Sequence, residues 1–236
     1  GWLIAFILYK PAAAIVYAIR QARLPKITER ARLRLRVRPV LRGQLGRVLV
    51  GFTAFEIGNV AATLLILRAT DLLVAGRGVQ AATQLGIGLY VVYNLAATVA
   101  SFPAGSVSDR LGRRGPLLVT LVGVGAFAAA YLLFATAGPG LVVLGAAFAL
   151  AGIGIGCAET AEHAAVAAFA PAELRGSAFG LLATVQAIGN VAASAVAGLL
   201  YTVTSPTIAF GYLVVWMVVA LVVLGATAVR APLVQS

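Results

Sequence analysis

The chain has 236 residues, of which 61% are hydrophobic and only 11% are charged. Soluble domains average about 45–50% apolar and about 25% charged residues, so this composition excludes an ordinary soluble domain. Its apolar runs lack a period of two, which excludes an outer-membrane barrel and predicts an all-α integral membrane protein.

Six complete spans are predicted, preceded by a short or partial span at residues 1–19 and a basic loop at 20–47. Each span is an apolar run of roughly the 20 residues that cross a bilayer, bounded by charges, glycines or prolines. The predicted spans within a bundle over residues 48–229 are 48–67, 86–104, 116–137, 140–169, 174–202 and 207–229. A tail follows at 230–236. The first residues lack an initiator Met and a basic leader, so we expect a cut inside a longer chain rather than a signal peptide.

The net charge of +11 is unevenly distributed, because ten of the 18 lysines and arginines lie between residues 20 and 47. Fifteen fall on the side of the membrane that holds this loop, residues 105–115 and the tail, and two fall on the opposite side. Lysine and arginine accumulate in cytoplasmic loops, so we predict that this side and the C-terminus are cytoplasmic.

The basic loop itself is predicted to rest on anionic lipid headgroups. It has no interleaved aromatic residue for base stacking, so nucleic acid is not expected as a partner. The chain has one cysteine, Cys157, and therefore no internal disulfide or cysteine metal cluster. No nucleophile or phosphate-binding motif is present, so neither an enzyme nor a cofactor is expected.

The third and sixth spans are apolar all round, whereas the other four carry polar side chains at helical spacing. Ionisable groups at membrane depth cost about 3 kcal/mol or more, so Glu56 and Glu159 are predicted to face a cavity and bind a substrate or a proton. The remaining predicted members of this pathway are Asn59, Asn94, Gln186 and Asn190. Glu162 and His163 are predicted to lie near the cytoplasmic end in water, and His163 lacks the further ligands that a metal site needs.

A ten-residue turn with four charges, residues 105–114, separates the second and third spans. It resembles the G-x-x-x-D-R-x-G-R-R signature of the major facilitator superfamily, a large class of secondary transporters. The matching residues are Gly105, Asp109, Arg110, Gly112, Arg113 and Arg114.

Two further segments strengthen the resemblance. Residues 171–180, which include Arg175 and Gly176, resemble the family's P-x-x-x-R-G-x-A-x-G loop, and residues 58–69 resemble the opening of its seventh helix in one bacterial branch. One half of a transporter of this family also has four helices that line the pathway and two helices that face lipid. The resemblance implies the end of helix six, the central loop and helices seven to twelve, with a missing N-terminal half as partner.

What the resemblance implies about function is transport of a small solute by alternating access, in a bacterial inner membrane. Proton coupling, as in an antiporter, and drug or metabolite efflux are the expected modes. It also implies that Asp109 holds a cytoplasmic gate shut, by pairing with arginine and with the helix N-terminus near residues 173–176. The alternatives are a non-transporting membrane scaffold that keeps the fold and, more remotely, a membrane-tethered nucleic-acid binder.

Overall fold

A computed structural model describes residues 37–230 of the chain. The described residues form seven α-helices and two short 3₁₀ helices. The α-helices are α1 (Val37–Val40), α2 (Gly43–Gly58), α3 (Ala62–Arg110), α4 (Gly115–Thr136), α5 (Leu141–Phe169), α6 (Arg175–Val203) and α7 (Pro206–Arg230), and the 3₁₀ helices are Gly112–Arg114 and Ala172–Leu174. The predicted span at 1–19, most of the basic loop and the tail after residue 230 lie outside this range.

Five helical stretches among the described residues are long and apolar enough to cross a membrane, which confirms the predicted all-α membrane fold. The first of them, Gly43–Arg110, has 68 residues. At about 1.5 Å per residue it would measure about 100 Å, more than three times the roughly 30 Å of hydrocarbon in a bilayer. It therefore has to contain more than one crossing.

The chain folds back at Gly78, which leaves the helical conformation inside α3 (φ 75°, ψ 164°). The two arms of α3, residues 62–77 and 79–110, then pack side by side. A Cβ atom added to Gly86 in the second arm would lie 2.9 Å from the hydroxyl oxygen of Thr70 in the first. The predicted spans 48–67 and 86–104 thus fall in one helical stretch that turns back on itself.

The first crossing differs from its prediction in one respect. It begins at Gly43 and is interrupted at residues 59–61, between α2 and α3, whereas the apolar pattern predicted an unbroken helix over 48–67. We call residues 59–61 the helix break. Its sequence, Asn-Val-Ala, contains no proline or glycine to signal an interruption.

The core contains a row of buried aromatic rings that joins α2, α4, α5 and α7. Consecutive ring centroids lie 5.3–6.2 Å apart, within the range of favourable aromatic packing. The rings are Phe55, Phe127, Tyr131, Phe210, Phe134 and Phe148. Helices α4 and α7, predicted to be apolar all round, therefore pack into the core on one face. Their opposite faces carry exposed apolar side chains such as Val122 and Val222.

Candidate functional site

A polar cavity of about 630 Å³ lies among α2, α5 and α6, in a bundle that is otherwise mostly apolar. Its lining residues are Glu56, Asn59, Glu159, His163, Ala183, Gln186, Ala187, Asn190 and Val191. Five of the six residues predicted for a substrate or proton pathway thus meet in one place. The sixth, Asn94, is not among the lining residues, and its amide donates a hydrogen bond to the Tyr90 carbonyl oxygen in its own helix (2.8 Å).

The helix break adjoins this cavity and is held by side chains from two distant helices, α4 and α6. Backbone groups without partners cost several kcal/mol each in hydrocarbon, so an interruption at membrane depth needs substitutes for the lost helical bonds. Three cross-helix hydrogen bonds supply them: Val60 N–H to Tyr131 Oη (3.3 Å), Ala61 N–H to Ser194 Oγ (3.0 Å), and Asn190 Nδ2–H to the Asn59 carbonyl oxygen (3.0 Å).

Glu56 stands one turn before the break and is only 2% exposed. Its Oε2 atom accepts a hydrogen bond from Nδ2 of Asn59 (3.1 Å). Helix α6 approaches Glu56 closely at Gly189, where an added Cβ atom would lie 2.6 Å from the Glu56 Cβ atom. Glycine is therefore required at 189 for α6 to reach the break.

The structure corrects the prediction that Glu162 is surrounded by water. Its side chain is 0% exposed, and its Oε2 atom accepts a hydrogen bond from Nε2 of Gln186 (2.8 Å). Glu159, three residues earlier, is exposed to the cavity. Three residues turn a helix by about 300°, so Glu162 lies to one side of Glu159 and faces the packed helices instead.

His163 is exposed, but it lines the cavity, whereas the sequence placed it near the cytoplasmic end and outside the pathway. Its Nδ1 atom lies 2.9 Å from the Glu159 carbonyl oxygen, and its ring stacks on Phe179 with centroids 6.1 Å apart. Within residues 37–230, no three His, Cys, Asp or Glu side chains are grouped so that they could hold a metal ion.

Four residues of this site were not among the predicted pathway residues: Glu162, His163, Tyr131 and Ser194. Tyr131 is one of the few polar side chains in the apolar α4, and this contrast in the sequence could have marked it as a site residue. Ser194 belongs to a row of small and polar residues on α6, but nothing in that row indicates its partner in the helix break. Only the assembled bundle brings these groups together.

The ten-residue turn predicted at 105–114 is shorter in the structure: residues 105–110 are the last residues of α3, and only residues 111–114 join α3 to α4. Gly112 adopts φ 60°, a left-handed conformation that favours glycine, and it starts the 3₁₀ helix that joins the two long helices. The guanidinium of Arg113 lies 5.1 Å from the centroid of the Phe169 ring at the end of α5. Nη2 of Arg114 donates a hydrogen bond to the Val229 carbonyl oxygen near the end of α7 (3.3 Å). Through Arg113 and Arg114, the turn therefore contacts the ends of α5 and α7.

Asp109 is exposed and, with Arg113, borders a small cavity of about 380 Å³ beside this turn. Helix α6 begins at Arg175, so a helix N-terminus does lie near residues 173–176. In the part of the chain that the structure describes, no hydrogen bond or ion pair joins Asp109 to those residues.

The other motif residues contribute less to packing. Gly105 contacts α5 at ordinary distance, 3.8 Å from its added Cβ position to Cγ2 of Thr160. A Cβ atom added to Gly176 would meet no atom within 4 Å. Arg110 is exposed at the end of α3.

Comparison with known proteins agrees with this architecture. The sequence profile described as Major Facilitator Superfamily matches residues 48–235. A protein of Methanocaldococcus jannaschii described as an uncharacterized MFS-type transporter is 30% identical over 158 residues, which cover 67% of this chain and 38% of that protein. The chain thus spans well under half the length of this relative. Because the family profile covers most of the chain, including the whole polar cavity and the charged turn, the chain belongs to the major facilitator superfamily.

Proposed function

We propose that this chain is the C-terminal half of a secondary active transporter, which moves a small solute across the cell membrane by alternating access. The observation that carries the proposal is the polar cavity among α2, α5 and α6. Polar and ionisable groups at membrane depth are costly, and they commonly mark a solute or ion pathway. In transporters built from repeats, such sites lie at discontinuous helices, and here the helix break borders the cavity.

The cavity suits a solute that carries a positive charge or several hydrogen-bond donors. Glu56 and Glu159 place two carboxyl groups in its wall, and the amides of Asn59, Gln186 and Asn190 lie beside them. A second six-helix half would close the open side of the cavity, as in complete secondary transporters with two related halves. We further propose that the two carboxylates couple solute movement to protons, with export as the direction.

Transport tests this proposal most directly. Glu159→Gln keeps the shape of the side chain and removes its charge and its proton site, and Glu56→Gln does the same deeper in the wall. We expect each change to lower pH-driven movement of small organic cations, with ethidium as the probe, by at least about tenfold, the scale of a charge-assisted contact worth about 1.5–3 kcal/mol. The measurement is ethidium flux into vesicles that contain the complete protein.

The matched control is Asp71→Asn, which removes an exposed carboxylate outside the cavity and can still accept the hydrogen bond from the Tyr201 hydroxyl. Flux in this variant should equal that of the unaltered protein. If pH-driven ethidium flux survives both cavity replacements unchanged, neither glutamate carries the proton. If the unaltered protein moves no ethidium or other small cation under a pH gradient, the coupled-export proposal is wrong.

The orientation can be tested separately. We propose that the charged turn and the end of α7 are cytoplasmic, since the positive charges of the chain are concentrated on that side. With Cys157 replaced by alanine, a cysteine at Leu111 in the charged turn should react only from the cytoplasm. A cysteine at Thr204, in the turn between α6 and α7, should react only from outside. Reaction of both positions from the same side would contradict this topology.

A further inference from the structure

We propose that Glu56 and Glu162 form a binding site for one proton, which their two carboxyl groups share. The role of this proton in coupling rests on the proposed transport function, whereas its presence does not. Glu56 belongs to α2 and Glu162 to α5, so the shared proton would join two helices that both line the cavity.

The geometry places the two carboxyl groups within hydrogen-bonding reach of each other. Both side chains are more than nine-tenths buried, with exposures of 2% and 0%. Each has one oxygen that accepts an amide hydrogen bond, from Asn59 in one case and Gln186 in the other. The remaining oxygen of Glu162, Oε1, is buried and receives no hydrogen bond from any donor in residues 37–230.

Two ionised carboxylates accept hydrogen bonds and donate none, so they cannot satisfy each other. Two carboxylates also repel each other strongly in a poorly solvated site. Two carboxyl groups within hydrogen-bonding reach of each other therefore hold one proton between them. A single proton supplies the missing donor and halves the negative charge of the pair. Among the described residues, no lysine or arginine acts on either carboxyl group and could supply that compensation instead.

Other ionisable groups surround the pair on the neighbouring helices. Glu159 and His163 face the cavity from α5, Tyr93 faces Glu159 from α3, and Tyr131 faces Glu56 from α4. The facing part of α6 contributes only amides and small residues, including Gln186.

The Glu56–Glu162 pair is connected both to the cavity and to the backbone of the helix break. Glu56 is both a lining residue of the cavity and a member of the pair, so a proton can enter and leave through it. Its bond to Asn59 leads directly to the helix break, which α6 holds through Asn190. Loss of the proton would set two like charges against each other across α2 and α5, and would strain the contacts of the break.

Infrared spectroscopy of the complete protein in lipid tests the proposal without a transport assay, because protonated and ionised carboxyl groups have distinct carbonyl stretching bands. We expect a protonated-carboxyl band at neutral pH. Glu162→Gln should abolish it, since a glutamine amide can donate to the ionised Glu56, and Glu56→Gln should abolish it in the same way. Glu173→Gln is the control and should keep the band.

The two variants change different helices, so misfolding of one variant cannot account for the loss of the band in both. The helical amide band shows whether each variant is folded. The shared proton is disproved if the band is absent at neutral pH, or if folded Glu56→Gln and Glu162→Gln proteins both retain it. A carboxylate spectrum that changes with sodium at constant pH would assign the pair to a metal cation and also overturn the proposal. Absence of transport would contradict the proposed function while leaving this band in place.

Discussion

Replacing Gly189 by alanine is expected to destabilise the bundle by about 1–3 kcal/mol, the usual cost of forcing extra atoms into a packed core. The new methyl group would lie 2.6 Å from the Glu56 Cβ atom and 3.0 Å from its backbone carbonyl carbon. A backbone contact cannot be relieved by rotating a side chain, so α6 has to move away from α2. That movement stretches the bonds from Asn190 and Ser194 to the helix break.

The measurement is the thermal unfolding midpoint of the purified protein, which should fall by several degrees. Gly198→Ala is the matched control, because Gly198 lies on the same helix and an added Cβ atom would meet nothing within 4 Å. Alanine is the better helix former by up to about 1 kcal/mol, so the control should be neutral or slightly stabilising. Equal midpoints for the two variants would show that the close approach of α6 to Glu56 does not matter for stability.

Asp109→Asn is expected to shift the protein toward the conformation that is open to the cytoplasm, and to slow turnover while insertion stays normal. A carboxylate that contacts a helix N-terminus gains about 0.3–1 kcal/mol, or up to about 2 kcal/mol when partly buried. Losing that contact with the start of α6 would change the ratio of the two conformations by about 2- to 30-fold.

Spin-label distances across the cytoplasmic face measure this shift. The control is Ser106→Ala, since the Ser106 hydroxyl is exposed and bonds only the Phe102 carbonyl oxygen of its own helix among the described residues (3.3 Å). If distances in Asp109→Asn match those of the control, the carboxylate has no gating role. It would then only temper the positive charge of the neighbouring arginines.

The membrane class, the helical fold and the family could all be predicted from the sequence. Hydrocarbon selects long apolar runs whatever their neighbours, so length and composition alone identify the spans. The left-handed turn at Gly112 was also accessible, because glycine is the residue that adopts this backbone at little cost. Likewise, the cost of ionisable groups in hydrocarbon selected Glu56 and Glu159, and polar side chains at helical spacing selected Asn59, Gln186 and Asn190; all five line one cavity.

Two features were decided only by the tertiary structure. Gly58 and Asn59 are residues that favour a helix end, but the sequence alone does not show that a break can persist at membrane depth. Its stability comes from Tyr131, Asn190 and Ser194, which are 71 to 133 residues away along the chain. The burial of Glu162 beside Glu56 likewise depends on how α5 is rotated against α2 and α6. Periodicity shows that two residues share a face of one helix, but the packing of the whole bundle decides what that face meets.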